Sequence, residues 1–226
     1  MDEWFLPENL SEMQKKRMQS YEAGEVNLGY DFDSYRKLYE YGKKSRITDH
    51  NAIGKYAEDI VANIKKNLSV HIDRIFRIAD VGGGTGGIAR ELKRQFPDAE
   101  VYSYDMAEYA TKYGNKNIKD VNFVNMVINE NTQLSDEQFD LVLAYEFYPF
   151  TRTKEWTIHK KYLDMCIRNC NRGGYVVLGM PDTRGGVFYN IMTENENKVL
   201  EEYENMYQGK YNVEGYPQYL MVFKKP

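Results

Sequence analysis

The residues best placed to do chemistry lie in Ile78-Ala79-Asp80-Val81-Gly82-Gly83-Gly84-Thr85-Gly86-Gly87. Four glycines within positions 82–86 give more backbone freedom than a strand-to-helix turn needs, and that excess costs conformational entropy unless a ligand uses it. Such a turn brings backbone close to a ligand, and a helix opening directly after it aims unpaired N–H groups at the same point. Asp105 stands 18 residues beyond Gly87. That is near the ~20 residues at which a glycine-turn nucleotide site expects its ribose-binding acid, and an Asp there also serves more plainly as N-cap of the next helix. Glu146 follows an apolar run, and His50, His71 and His159 are the three histidines that could carry a proton.

These residues need elements to hold them. In Lys55 to Leu68, Tyr56, Ile60, Ile64 and Leu68 recur every four residues, which predicts an amphipathic helix packing on something downstream. Leu10 to Tyr21 and Asp31 to Tyr41 are weaker helical stretches, joined by a loop with Gly24 and Gly29. From residue 75, short β-rich runs alternate with helical ones. Strands are expected at 75–81, 101–104, 121–128, 139–144 and 174–180, with helices at 87–96, 106–112 and 154–171. A helix from Val187 to Tyr207 and a hairpin of 211–214 with 219–223 close the chain. That alternation implies an α/β, doubly wound, mostly parallel sheet covered on both faces. The ligand then belongs at the carboxyl ends of the strands, at the switch point.

Two nucleotide-binding patterns overlap in the glycine run. Gly82, Gly84 and Gly87 spell the dinucleotide fingerprint, whereas Asp80-x-Gly82-x-Gly84-x-Gly86 resembles the first motif of the class I S-adenosylmethionine-dependent methyltransferases. An acid at Asp80 repels a pyrophosphate and suits an ammonium group. Phe139 to Glu146, and Cys170-Asn171-Arg172-Gly173-Gly174 leading into Tyr175 to Pro181, are similar to that family's fourth-strand and fifth-strand signatures. A short-chain NAD-dependent oxidoreductase would carry Tyr-x-x-x-Lys, and no tyrosine after Gly87 has Lys four positions later. The resemblance covers roughly residues 70 to 226 and implies a Rossmann-like, seven-stranded sheet with the last strand antiparallel. Residues 1–70 would form a helical N-terminal cap or lid, and residues 71–226 the S-adenosylmethionine-binding domain.

The resemblance also implies roles. Gly82, Gly83 and Gly84 would lie under the methionine and ribose parts of S-adenosylmethionine, and Asp80 would orient the amino-acid end. Asp105 would hold the ribose, with Met106 against adenine. The polar residue after the third strand that receives the adenine amino group would be Asn129 or Asn125, since the family's common Asp is absent. Tyr145 would line the site beside Glu146. Glu146 and His159 are the candidate catalytic residues, although Trp156, His159, Leu163, Cys166 and Cys170 share one stripe that points His159 toward the sheet. Where relatives place a His shortly after the Glu, this chain has Tyr148-Pro149-Phe150, so aromatic walls could replace a proton shuttle.

Methyl transfer to an O or N atom of a small acceptor (a sugar, aromatic or amine) is the implied activity; a catalytically silent S-adenosylmethionine binder is the alternative. Walls for the acceptor would come from tyrosines of the cap, Tyr21, Tyr30, Tyr35, Tyr39 and Tyr41, and from the loop 182–186. The Asn/Asp-Pro-Pro-aromatic motif of base-amino methylases is poorly matched by Glu146 to Phe150. With 30 Lys+Arg against 34 Asp+Glu the net charge is −4, so no basic footprint for nucleic acid exists. No apolar run reaches the ~18–20 residues a membrane helix needs, and the acidic start is unlike a signal peptide, so a cytoplasmic location is expected. No metal site is expected: Cys166 and Cys170, the two cysteines, have no neighbouring ligands and suit burial as small apolar groups. A homodimer stays open.

Overall fold

The computed structural model describes residues 51–68, 74–151, 156–181, 204–213 and 216–226. Expected features at residues 1–50, the loop 182–186 and most of the helix expected from Val187 lie outside the described residues. In chain order the elements are α1 (Asn51–Leu68), β1 (Arg77–Val81), α2 (Gly87–Gln95), β2 (Glu100–Asp105), α3 (Glu108–Asn117) and β3 (Val121–Asn125). Then follow β4 (Phe139–Tyr145), α4 (Tyr148–Thr151), α5 (Trp156–Asn169), β5 (Cys170–Pro181), β6 (Glu204–Val213) and β7 (Tyr216–Lys224). They build one seven-stranded sheet of order β3-β2-β1-β4-β5-β7-β6. Strands β1 to β5 pair in parallel, and β7 runs antiparallel to both β5 and β6. The order reverses between β1 and β4, which is the switch point.

Alternation along the strands divides the core into two layers. Ala79, Val142, Ala144, Val176 and Leu178 face α5, where Leu163, Met165 and Cys166 are buried. Ile78, Leu141, Leu143, Val177 and Val222 face α1 and α2. The α1 stripe is Ala57, Ile60, Val61, Ile64 and Leu68, all essentially without solvent contact, so this helix is part of the same core as the sheet. Each Ile or Leu so buried contributes about 1.5–3 kcal/mol. Cys166 and Cys170 are buried free thiols, both pushed up to about 12 by burial.

Several boundaries differ from expectation, and four of them have a visible cause. Helix α3 starts at Glu108 rather than Met106, because the Asp105 carboxylate holds the Ala107 amide at 2.7 Å and keeps that stretch extended. Strand β3 stops at Asn125, because residues 129–132 fold into a turn of their own. Strand β5 begins at Cys170, whose pairing with Phe139 is separated by a register shift from the regular ladder that starts at Leu141 and Tyr175. The expected helix through Tyr207 is contradicted over its last turn: Glu204 onward is strand β6, paired with β7 from Glu204 opposite Lys224. Helix-favouring residues there yield to sheet pairing, a tertiary override of local propensity.

Candidate functional site

Strands β1, β2, β3 and β4 end at one edge of the sheet, with Val81, Asp105, Asn125 and Tyr145 as their last residues. The chain leaves β1 through the glycine turn. Gly82, Gly84 and Gly86 have φ of 73°, 56° and 87°, the left-handed region that favours glycine. The Gly82 and Gly83 amides both donate to the Tyr104 carbonyl, at 2.8 and 3.1 Å, tying the turn to the end of β2. Gly86 caps α2 without any side-chain hydrogen bond, so the helix opens with backbone alone facing the turn. Side chains would not fit here. A Cβ on Gly82 would stand 2.7 Å from the Phe147 ring, and one on Gly86 2.4 Å from Phe123.

Two buried carboxyls sit against this turn. Asp105 accepts the Gly84 amide on Oδ2 at 2.9 Å and the Ala107 amide on Oδ1 at 2.7 Å. It is not the N-cap of α3, a position held by Ala107. Burial pushes its carboxyl up to about 6, with the two amides pulling the other way. Asp80 is 1% exposed, and its Oδ2 has no hydrogen-bond partner among the described residues. Burial, and after it the charge of Asp105, pushes Asp80 up to about 7. Its register partner on β2 is Ser103, also buried, whose hydroxyl likewise has no partner among the described residues. Ser103, Phe123 and Phe147 were not anticipated as site residues. A serine in the inward-facing series Val101, Ser103, Asp105 is the one signal that pointed to it.

The remaining candidates are distributed around this centre. Met106 is partly buried beside Asp105. Asn125 donates its Nδ2 to the Asp105 carbonyl at 3.0 Å. Asn129, four residues past the end of β3, is exposed, and its Oδ1 accepts the Asn131 amide at 2.9 Å. Tyr145 lies across β5: its hydroxyl donates to Gln218 Oε1 on β7, and its ring fills the space a Cβ on Gly179 would need. Burial first, then Tyr211 and Glu146, raises this phenol well above its ordinary range. Glu146 is partly buried, with φ 53° and its amide bonded to the Gly179 carbonyl at 2.7 Å. A non-glycine in that region is a strained backbone of the kind found at functional sites. His159 is fully buried on α5, its ring edge-on to Phe150 at 5.7 Å. The arrangement therefore offers a backbone-lined anion- and hydroxyl-binding turn, two acids under it, and Glu146 across the switch point.

Comparison with known proteins matches residues 78–174 to a family model described as a methyltransferase domain. A curated relative, the release factor glutamine methyltransferase of Flavobacterium psychrophilum, is 29% identical over 162 residues, which cover 67% of this chain. The chain spans about half, 53%, of that relative's length. Among solved structures, the plantazolicin methyltransferase BpumL in complex with SAH superposes with a TM-score of 0.63 at 13% identity, covering 96% of this chain and 100% of that one. A TehB-like SAM-dependent methyltransferase from Corynebacterium glutamicum gives 0.56 at 18% identity, covering 86% and 100%. At these identities the structural likeness is one of fold.

Proposed function

We propose, from the premise that the chain belongs to the class I S-adenosylmethionine-dependent methyltransferases, that it transfers a methyl group from that cofactor to an O or N atom of a small acceptor. The observation that carries the reading is the pair of buried acids under the glycine turn. Asp105 is an acceptor-only group suited to ribose hydroxyls, and the partnerless Asp80 oxygen suits the cofactor's ammonium. Gly82, Gly83 and Gly84 would lie under the methionine and ribose parts of the cofactor, and Met106 would be the apolar side chain against adenine. Asn125, tied to the Asp105 carbonyl, and Asn129 are the two polar groups toward the adenine end.

When bound, S-adenosylmethionine supplies a sulfonium methyl that leaves by in-line displacement as the positive charge disappears. Such a reaction gains most from alignment and exclusion of water. Phe147, against Gly82, and Phe150, edge-on to His159, would be the apolar backing at the switch point, with Glu146 just before them in the chain. His159 packs behind that wall and holds Phe150. The acid-rich balance of the chain favours an uncharged or cationic small acceptor such as a sugar, aromatic or amine over nucleic acid. Among the described residues no helix is long and apolar enough to cross a membrane.

Thermal-shift measurements with S-adenosylmethionine, S-adenosylhomocysteine and NAD test the cofactor. Stabilisation by the first two is expected, and stabilisation by NAD alone would overturn the reading. Incubation with methyl-labelled cofactor and a panel of sugars, phenols and amines tests the acceptor, with labelled nucleic acid as the opposing outcome.

A further inference from the structure

We propose that Ser103 is a cofactor-positioning residue, acting through its register neighbour Asp80 on the amino-acid arm of the bound cofactor; this rests on the function proposed above. Ser103 and Asp80 stand side by side on β2 and β1, 0% and 1% exposed. Both reach the same spot under the glycine turn. A Cβ on Gly83 would stand 2.2 Å from Ser103 Oγ and 2.4 Å from Asp80 Oδ2. Neither of those oxygens has a hydrogen-bond partner among the described residues. Gly83 is itself fastened to this place, since its amide donates to the carbonyl of Tyr104, the residue after Ser103.

Two adjacent polar atoms buried without partners are costly, and a fold that keeps them calls for an explanation. A ligand ammonium supplies one. When Asp80 takes that cation on its carboxylate, the hydroxyl beside it has an ionised acceptor to donate to, and the donated bond holds the carboxylate aimed at the turn. The strand neighbour of Asp80 on its other side is Leu143, which cannot do this. Ser103 touches neither the ribose acid's hydrogen bonds nor those of the turn, so its contribution is confined to the arm that Asp80 holds.

Calorimetric binding to the full chain separates the arm from the rest of the cofactor. S-adenosylhomocysteine carries the amino-acid arm; 5′-methylthioadenosine keeps the nucleoside and the sulfur but lacks the arm. Ser103→Ala is expected to weaken S-adenosylhomocysteine about 10- to 100-fold, the range of a hydrogen bond to a charged group, while methylthioadenosine changes less than about twofold. Ser103→Cys, which keeps a weak donor, should restore part of the loss. Asp80→Asn should show the same ligand split, and adding Ser103→Ala to it should cost little more, because one residue works through the other. Equal losses for both ligands, unchanged S-adenosylhomocysteine binding, or full additivity with Asp80→Asn would each overturn the proposal. Wild-type protein that binds neither ligand would instead overturn the methyltransferase reading itself.

Discussion

The Asp105 carboxylate receives the Gly84 amide at 2.9 Å, so the acid at the end of β2 and the middle of the glycine turn after β1 are one hydrogen-bonded unit. The same carboxylate fixes the approach to α3 through Ala107 at 2.7 Å. The proposed cofactor contact and the local architecture therefore share a side chain, and substitutions there must be read on both.

Asp105→Ala should abolish the thermal shift given by S-adenosylhomocysteine and also lower the melting temperature of the ligand-free chain. The first effect follows from losing the proposed ribose acceptor, and the second from two amides left without their partner, each costing roughly 1–3 kcal/mol. Asp105→Asn keeps one acceptor oxygen and should fall between. A ligand-free chain that melts lower yet keeps the wild-type shift would reduce Asp105 to a strut of the turn.

Gly86→Ala and Gly173→Ala make a matched pair. Both glycines have positive φ, 87° and 76°, but a Cβ on Gly86 would meet the Phe123 ring at 2.4 Å whereas Gly173 has open space around it. Backbone strain alone should cost Gly173→Ala about 1 kcal/mol, and the added clash should take Gly86→Ala to roughly 2–4 kcal/mol. Urea unfolding measures both. Equal costs would mean that Phe123 moves aside freely.

Asp80 makes stability depend on pH in an unusual direction. Its carboxyl is raised from 3.8 to about 7 in the folded chain, so between those values the folded state binds more protons than the unfolded one. Stability then falls as pH rises through that window, and the loss is complete above about 7. Asp80→Asn removes the buried charge, and should stabilise the ligand-free protein by roughly 2–4 kcal/mol at pH 8 with a much smaller gain at pH 5. Chemical denaturation at the two pH values decides it; a gain equal at both would show that charge is not the cause.

Much of this was legible in local sequence because the informative residues act where they stand in the chain. The glycines and Asp80 belong to one strand-turn-helix unit, Asp105 ends the next strand at a readable spacing, and the periodicity of Ile60, Ile64 and Leu68 marked the buried face of α1. What escaped depends on partners distant in sequence. Glu204 to Tyr207 look helical until the edge of β7 is there to pair with them. Ser103 gains meaning only beside Asp80. The turn that Asn129 closes through its side-chain oxygen onto the Asn131 amide likewise depends on residues beyond the end of β3. Tyr145 follows the pattern of a site-lining residue, and Gly179 on β5 is what lets its ring pass across to Gln218.

That crossing is the basis of the last prediction. Tyr145 and Gln218 are both buried, and the hydroxyl of one donates to the amide oxygen of the other between β4 and β7. Glu146, next in the chain, is held by the Gly179 carbonyl at 2.7 Å, so the strained turn that presents it is anchored on the same glycine. Tyr145→Phe removes only the hydroxyl and should cost about 1–2 kcal/mol, because the Gln218 oxygen loses its donor while the ring still covers Gly179. Gln218→Leu should cost less than that, because the Tyr145 hydroxyl keeps Tyr211 as a neighbour. The double variant should cost clearly less than the two together, by roughly 1 kcal/mol, since both sides of the Tyr145–Gln218 contact are then gone. Additive losses in a double-mutant cycle would show that the pair does not act as one contact across β5, and that the hairpin and the Glu146 turn are held independently.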